Sequence, residues 1–419
     1  MIARGIAAAV LGGLVARAVT VLIPVMVAHI YTLGVATDAF FLAAAGILFW
    51  GTTMGLLLEA SIVSRILKCD AAARWALVFH SGVLLSGFTL LFGGALVAGL
   101  WAFPWGAEDT ALVSRARLLF VELSPLLILS IWISLFSGWL NADRRFATVA
   151  ASPALLGVFV LGAMWFLHDR FGVHALVIGY LLGEIARLGF LGISLLRRQP
   201  LSGLSWRGTP TAPYFRNIGL QWVGLALMSG NPLVDRVMAG GLVAGSVSTF
   251  ELIERIYLIP VGVLGWAVLS VMTTAWSLAQ GEVTRQWQSI RRSVGMTLLG
   301  GAAVALFLGL LHQPLLAGLY APPGVEIWSQ EGERAFLFLV WGLPFQLATL
   351  MLWRAAMLNT QLDARMGWRI LAIGGFAFTF NALGDFVLRD IWGLAGIAVV
   401  TGFTFLCTFL LLFRSVRPS

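Results

Sequence analysis

The sequence predicts an all-α polytopic membrane protein of about twelve transmembrane helices. They form two six-helix halves related by a pseudo-two-fold axis along the membrane normal. Three observations predict it. Hydrophobic residues make up 59% of the 419 and charged residues only 11%, with a mean hydropathy of +0.92. Apolar runs recur from end to end, each long enough to cross a hydrocarbon core of about 30 Å, which takes roughly 20 helical residues. Short motifs of the first half return in the second at an offset of roughly 210–220 residues. A closed β-barrel is excluded, because the runs are too long and lack two-residue alternation.

Taken in order, the spans fall at about 5–31, 38–63, 74–103, 117–140, 148–168 and 172–196, then 214–242, 247–279, 290–320, 335–359, 366–388 and 393–413. The N-terminal stretch starts like a signal peptide, but Arg17 interrupts its apolar core and the pattern continues to Tyr31, so it reads as a retained first helix. Pro24, Pro125, Pro232, Pro260 and Pro344 fall inside spans, where the freed carbonyls need neighbours or water. The hydrophilic stretch 197–213, rich in Pro, Gly, Ser and Thr, reads as a cytoplasmic linker between an N-terminal bundle (1–196) and a C-terminal bundle (214–419). Cys69 and Cys407 lie on separate elements and imply no disulfide framework.

Loop charges set the orientation. One set of loops and both termini carry Arg4, Arg65, Lys68, Arg74, Arg144, Arg145, Arg197, Arg198, Arg207, Arg216, Arg285, Arg291, Arg292, Arg365, Arg369, Arg414 and Arg417. The opposite loops hold only Arg115, Arg117, Arg170, Arg334 and Arg389. The excess of cations predicts that both termini lie in the cytoplasm. The net charge of +8 is therefore an orientation signal, with some attraction to anionic lipid headgroups, and not a nucleic-acid footprint.

The repeat rests on three matches. Residues 27–41 overlay 238–252, with Ala28 on Ala239 and Gly34 on Gly245. Leu140-Asn141 matches Leu358-Asn359, and Phe171-Gly172-Val173 matches Trp392-Gly393-Leu394. Both halves begin in the cytoplasm, so they are parallel repeats, and transporters built this way place the substrate between halves that expose it alternately.

Inside the spans, ionisable residues are costly, by roughly 2.5–3.5 kcal/mol at the helix centre, and mark cavities or partners. Arg17 lies deep in the first span and Asp38 opens the second. Asp235 and Arg236 close the seventh span, and Glu251, Glu254 and Arg255 open the eighth. Glu184 and Arg187, three apart, can neutralise each other on one helix. Glu122 and Asp385 read either as proton-linked carboxyls or as buried hydrogen-bonding groups. A guanidinium presents a planar fork that suits phosphate, so Arg17 and Arg255 in one cavity would suit a pyrophosphate headgroup. The alternative is that the acids balance these arginines as structural ion pairs. The five histidines are dispersed, and no nucleophile or metal-ligand constellation appears, so no enzymatic site and no metal site is expected.

Four stretches carry a family resemblance: ATDAFF (36–41), LNADRRFATVAASPALLG (140–157), VDRVMAGGLVAGSVSTFELIERIYLIPVGVLG (234–265) and WGLAGIAVV (392–400). The sequence resembles the lipid II flippase (MurJ/MviN) family of the multidrug/oligosaccharidyl-lipid/polysaccharide (MOP) exporter superfamily. The resemblance implies a transporter that moves a polyprenyl-pyrophosphate-linked saccharide, lipid II or a related glycan precursor, from the cytoplasmic to the periplasmic leaflet by alternating access. It implies no cofactor beyond a coupling ion (proton or sodium) or the membrane potential. Its partners would be the lipid-linked saccharide, membrane lipids and other cell-envelope biosynthesis proteins, with no nucleic acid. Carried over residue by residue, Arg17, Asp38 and Arg255 take the place of family cavity residues, with Glu254 standing where an aspartate is usual. Read from the residues themselves rather than from the resemblance, Asp235, Arg236, Glu251, Glu122 and Asp385 are further candidates for cavity or coupling roles. Two further family features are replaced, by Ile23-Pro24 in the first span and Gly51-Thr52 in the second, and two C-terminal helices of typical members are not in the sequence. A multidrug or metabolite exporter on the same scaffold and a non-transporting envelope-assembly scaffold are the competing readings. An integral-membrane glycosyltransferase or polymerase fits poorly, because the loops are short.

Overall fold

The computed structural model describes residues 19, 22–31, 33–66, 70–102, 110–199, 223, 226, 227, 229–262, 276, 283–320, 330–360 and 364–417. The chain divides into two units, Met1–Trp222 and Val223–Ser419. The boundary falls beyond the stretch 197–213 that the composition marks as a linker.

In the first unit, α1 (22–30) precedes α2 (Val35–Ile66), α3 (Ala71–Ala102), α4 (Thr110–Leu123), α5 (Pro125–Ala142), α6 (Phe146–Ala151), α7 (Pro153–Phe171) and α8 (His174–Leu196). The second holds α9 (Asn231–Ala239), α10 (Ser246–Pro260), α11 (Val283–Leu310), α12 (His312–Tyr320), α13 (Gln330–Thr360) and α14 (Ala364–Val416). Every regular element among the described residues is helical, and eight are long and apolar enough to span a bilayer. The sequence-predicted span at 5–31 lies largely outside the described residues, as do residues 214–222 of the span at 214–242, Arg17, and all of 247–279 beyond residue 262 except 276.

Two spans are broken, the first at Pro125, where the sequence suggested a kink, and the second at Pro153, which the sequence reading did not single out. The span 117–140 is two helices meeting at Ser124, and the span 148–168 begins as the short α6. Pro125 and Pro153 sit in the first turn of the helix that follows, where a missing N–H costs nothing and a fixed φ helps. Pro260 closes α10, with a π turn at 261–262, and Pro344 lies within α13.

Helix α14 runs over 53 residues, about 80 Å if straight, against a hydrocarbon core of about 30 Å. It is a hairpin in which Gly393 reverses the chain with φ 58° and ψ −136°. Gly384 packs on Val400 across it, and Thr404 reaches Asn381. Gly172, between α7 and α8, has φ 54° and ψ −134°, nearly the same as Gly393. A side chain rarely adopts that backbone. The sequence match between 171–173 and 392–394 is thus a shared chain reversal. Gly34 and Gly245 likewise each precede the first turn of a helix, α2 and α10, and Gly245 has φ 97°.

Each unit has its own core. Trp50 stacks on Phe92 at 4.4 Å and Trp75 meets Trp139 at 4.7 Å in the first. In the second, α11, α13 and α14 enclose Val294, Leu352, Ala355 and Leu412, with Trp287 and Phe413 against them. Outward faces are equally apolar: Leu91 is 77% and Phe166 80% exposed. Such surfaces require lipid.

Candidate functional site

The predicted site residues fall into two groups. Asp38 and Glu122 belong to the first unit. Asp38 is buried in the first turn of α2, behind a turn in which Thr37 Oγ1 accepts from Gly34 N at 3.0 Å and donates to Gly34 O at 2.9 Å. Glu122, near the end of α4, lies 2.7 Å from His174 Nδ1 at the start of α8, and both side chains are partly exposed. Glu184 and Arg187 form the expected local pair at 3.3 Å, and Arg187 also donates to Ser152 Oγ.

The other six converge within the second unit. They are held by α9, α10 and the α14 hairpin. Helix α9 is only nine residues long, opening with Asn231-Pro232 and followed by Gly240 and Gly241. Its adjacent residues Asp235 and Arg236 project to different neighbours, as a helical step of about 100° requires.

Arg236 turns toward α10. Its Nε and Nη2 both donate to Glu251 Oε2, Nη2 also donates to Glu254 Oε2, and Nη1 donates to the Pro232 carbonyl at 2.7 Å. The other oxygen of Glu251, Oε1, accepts from Arg255 Nε at 2.7 Å and Nη2 at 2.6 Å. Arg236, Glu251 and Glu254 are buried, whereas the Arg255 side chain keeps 39% exposure. One buried carboxylate therefore holds two guanidiniums, one sealed and one reaching the surface of its unit. The spacing of 251, 254 and 255 places all three on one side of α10.

Asp235 turns toward α14. Its Oδ1 accepts from Asn381 Nδ2 at 2.6 Å and its Oδ2 from Thr401 Oγ1 at 3.1 Å. Asn381 Nδ2 also donates to Asp385 Oδ2 at 3.1 Å, and Asn381 Oδ1 accepts from Thr404 Oγ1 at 3.2 Å. Thr401 lies 3.0 Å from the Ile397 carbonyl. All these side chains are buried. Asp385 Oδ1 and Asn231 Oδ1 have no hydrogen-bond partner among the described residues. Asn231 stands one turn before Asp235, on the same face of α9.

Two carboxylates in one buried pocket need positive charge, supplied by a proton or a metal cation. The pocket offers carboxylate, amide, hydroxyl and carbonyl oxygens with buried acceptors to spare, a donor set that fits a hard cation such as sodium. No cluster of three or more His, Cys, Asp or Glu able to hold a metal occurs among the described residues, so nothing there favours a soft transition metal. Asn381, Thr401, Thr404 and Asn231 were not singled out in the sequence. The available signal was spacing, since Asn381 lies one turn before Asp385 in a stretch, 370–388, that is otherwise apolar but for Thr379.

A family model described as "Lipid II flippase MurJ" matches residues 73–419. A probable lipid II flippase MurJ from Haemophilus influenzae is 26% identical over 262 residues, covering 57% of this chain and 51% of that protein. The corresponding protein of Vibrio cholerae is 24% identical over 350 residues, covering 80% of this chain and 64% of its own length. The chain thus spans about half to two thirds of the length of these curated relatives. Among solved structures, a lipid II flippase MurJ in an inward closed conformation superposes with a TM-score of 0.78 at 16% identity, over 97% of this chain and 87% of that one. A MOP superfamily transporter from Pyrococcus furiosus gives 0.70 at 15% identity, over 99% and 94%. Similarity at that level of identity establishes the fold alone, an all-α, multi-span fold shared with these two proteins. The family match over most of the length goes further: this chain belongs to the lipid II flippase MurJ family.

Proposed function

We propose that this chain flips a polyprenyl-pyrophosphate-linked saccharide, lipid II or a closely related glycan precursor, from the cytoplasmic to the periplasmic leaflet of the bacterial inner membrane. Both termini face the cytoplasm, as the loop arginines require. Family membership supports the class of substrate, and relatives named lipid II flippase support lipid II itself. The observation that carries the reading is Arg255: its guanidinium is aimed by the buried Glu251 yet stays partly exposed. That is how a phosphate-gripping arginine is presented. Arg17 and Asp38 of the first unit are the further candidates for headgroup contact that the sequence offers. Glu254 sets the charge around Arg255 by engaging Arg236.

The pocket of Asp235, Asn381, Asp385 and Thr401 takes the coupling ion, sodium or a proton, whose gradient resets the cycle. An organic-cation exporter would need predominantly acidic lining at the substrate site, which a half-exposed arginine opposes.

The test is leaflet-resolved translocation of a defined polyprenyl-pyrophosphate saccharide in proteoliposomes. Wild type moves it, and Arg17→Ala and Arg255→Ala each slow it at least tenfold. Transport unchanged in both variants removes the assignment of these arginines. Drug efflux without any lipid-linked saccharide transport removes the function.

A further inference from the structure

We propose that Arg236 is a positioning residue that couples the Asp235 pocket to Arg255, so that cation binding at the first raises affinity for a pyrophosphate at the second. The inference deepens the function proposed above and rests on it.

The connection is one dipeptide long. Asp235 bonds to Asn381 and Thr401 of α14, while Arg236, its neighbour, bonds to Glu251 and Glu254 of α10. Glu251 then holds Arg255 through its second oxygen. From pocket to surface arginine, the links are the peptide step from Asp235 to Arg236, the buried Arg236–Glu251 pair, and the bonds from Glu251 to the half-exposed Arg255. Asp235, Arg236, Glu251 and Glu254 are each less than a tenth exposed, so little water reaches these contacts to screen them. The Pro232 carbonyl binds Nη1 from within the same helix, so the guanidinium moves with α9 as a body. A shift of α9 as Asp235 closes on a cation therefore moves Arg236 against Glu251.

Charge gives the coupling its sign. Asp235, Asp385, Glu251 and Glu254 carry four negative charges when ionised, against two positive charges on Arg236 and Arg255. Arg236 feels both its neighbour Asp235 and the two glutamates. A cation beside Asp235 relieves Arg236 of that pull and lets it satisfy Glu251 more fully. Glu251 then holds Arg255 less tightly, and the half-exposed guanidinium is freer to take a phosphate. The same cation lowers the net negative charge that repels an incoming anion. Both effects act in one direction. Linkage makes the coupling reciprocal, and such couplings are typically about 5–150-fold in affinity.

The experiment uses the full chain in nanodiscs, with radioactive sodium and undecaprenyl pyrophosphate as probes. Wild type should bind undecaprenyl pyrophosphate at least about fivefold more tightly in sodium than in an impermeant organic cation of equal ionic strength, with the reciprocal gain for sodium. Arg236→Lys keeps the charge but lacks the fork that reaches Glu251, Glu254 and Pro232 together. Both probes should still bind it, with the coupling reduced below twofold. Binding of both probes to wild type with no mutual effect overturns the relay while leaving the proposed function standing. Arg236→Lys with undiminished coupling overturns it too. Failure of wild type to bind one of the probes overturns the site reading and the relay together. The wild-type comparison needs no variant, so a folding defect in Arg236→Lys does not shield the proposal.

Discussion

Glu251 is the residue whose loss the second unit should feel most. Glu251→Gln keeps its shape but removes its charge. Arg236 then loses the carboxylate that accepts from both Nε and Nη2, keeping Glu254 and the Pro232 carbonyl. Removing one partner of a buried ion pair costs about 3–5 kcal/mol, because the other charge is left uncompensated. The remaining partners of Arg236 argue for the low end, about 3 kcal/mol. Arg255 adds little, since its side chain is 39% exposed and water can replace the lost contact. For a unit of this size each kcal/mol moves the melting temperature by roughly 2–4 °C, so the expected drop is roughly 6–12 °C. Thermal unfolding of the purified protein in detergent, followed by circular dichroism and by tryptophan fluorescence, measures it. A double-mutant cycle then isolates the pair: Arg236→Gln with Glu251→Gln should cost well under the sum of the singles, by roughly 1.5 kcal/mol or more. A single-variant shift under about 2 °C, or strictly additive losses, would show that the buried pair is not holding α9 to α10.

The remaining expectations concern the pocket, the chain reversals and the first unit. Asp385→Asn should abolish stabilisation by sodium, which in wild type should reach about 2.7 kcal/mol at a hundredfold excess over its dissociation constant; equal stabilisation of both proteins by sodium would place the ion elsewhere. Gly172→Ala should cost about 1–3 kcal/mol from backbone strain alone, because nothing lies within 4 Å of the added methyl. Gly393→Ala should cost about 1 kcal/mol more, since the methyl displaces Glu331 Oε1 from the Leu394 N–H it accepts at 2.7 Å; the order of the two melting temperatures checks this. Glu122→Gln, at a partly exposed pair with His174, should change stability by less than about 1 kcal/mol, and a larger loss on unfolding would mean the pair is better shielded than its exposure implies.

The helical membrane fold was legible because it depends on run length and composition, which survive without coordinates. The chain reversals were legible as motif matches, and the backbone angles of Gly172 and Gly393 show what those matches encode. The charged cluster on α9 and α10 was half legible. Its five ionisable residues fall within 235–255, so the sequence displays them together. Which way each points is set by helix phase around the short α9, and a list of charges does not contain that. Arg236 and Arg255 looked alike as cations, yet one is sealed among acids and the other presented. The pocket partners were the least legible. Asn381 and Thr401 lie 146 and 166 residues from Asp235 along the chain, and threonine is unremarked in an apolar helix because its hydroxyl can bond back to the preceding turn, where Thr401 keeps the Ile397 carbonyl within 3.0 Å.

The two repeats supply the reason to assign this polar network to function. By the offset that aligns Gly393 with Gly172, Asn381 and Asp385 correspond to Val160 and Met164, both fully buried and apolar. By the offset that aligns Gly245 with Gly34, Glu251, Glu254 and Arg255 correspond to Phe40, Ala43 and Ala44, again buried and apolar. The same helical frame is therefore built in the first unit with hydrocarbon at each of these positions. Replacing a buried ion network by well-packed apolar residues is commonly neutral or stabilising, so packing gives no reason to keep charge there. In a bilayer the polar choice is costlier still, and intramembrane ionisable groups persist where they bind or move something. The network sets four acids, Asp235, Glu251, Glu254 and Asp385, against two arginines, Arg236 and Arg255. That surplus has a purpose only if positive charge arrives from outside the chain, which is what a coupling ion does.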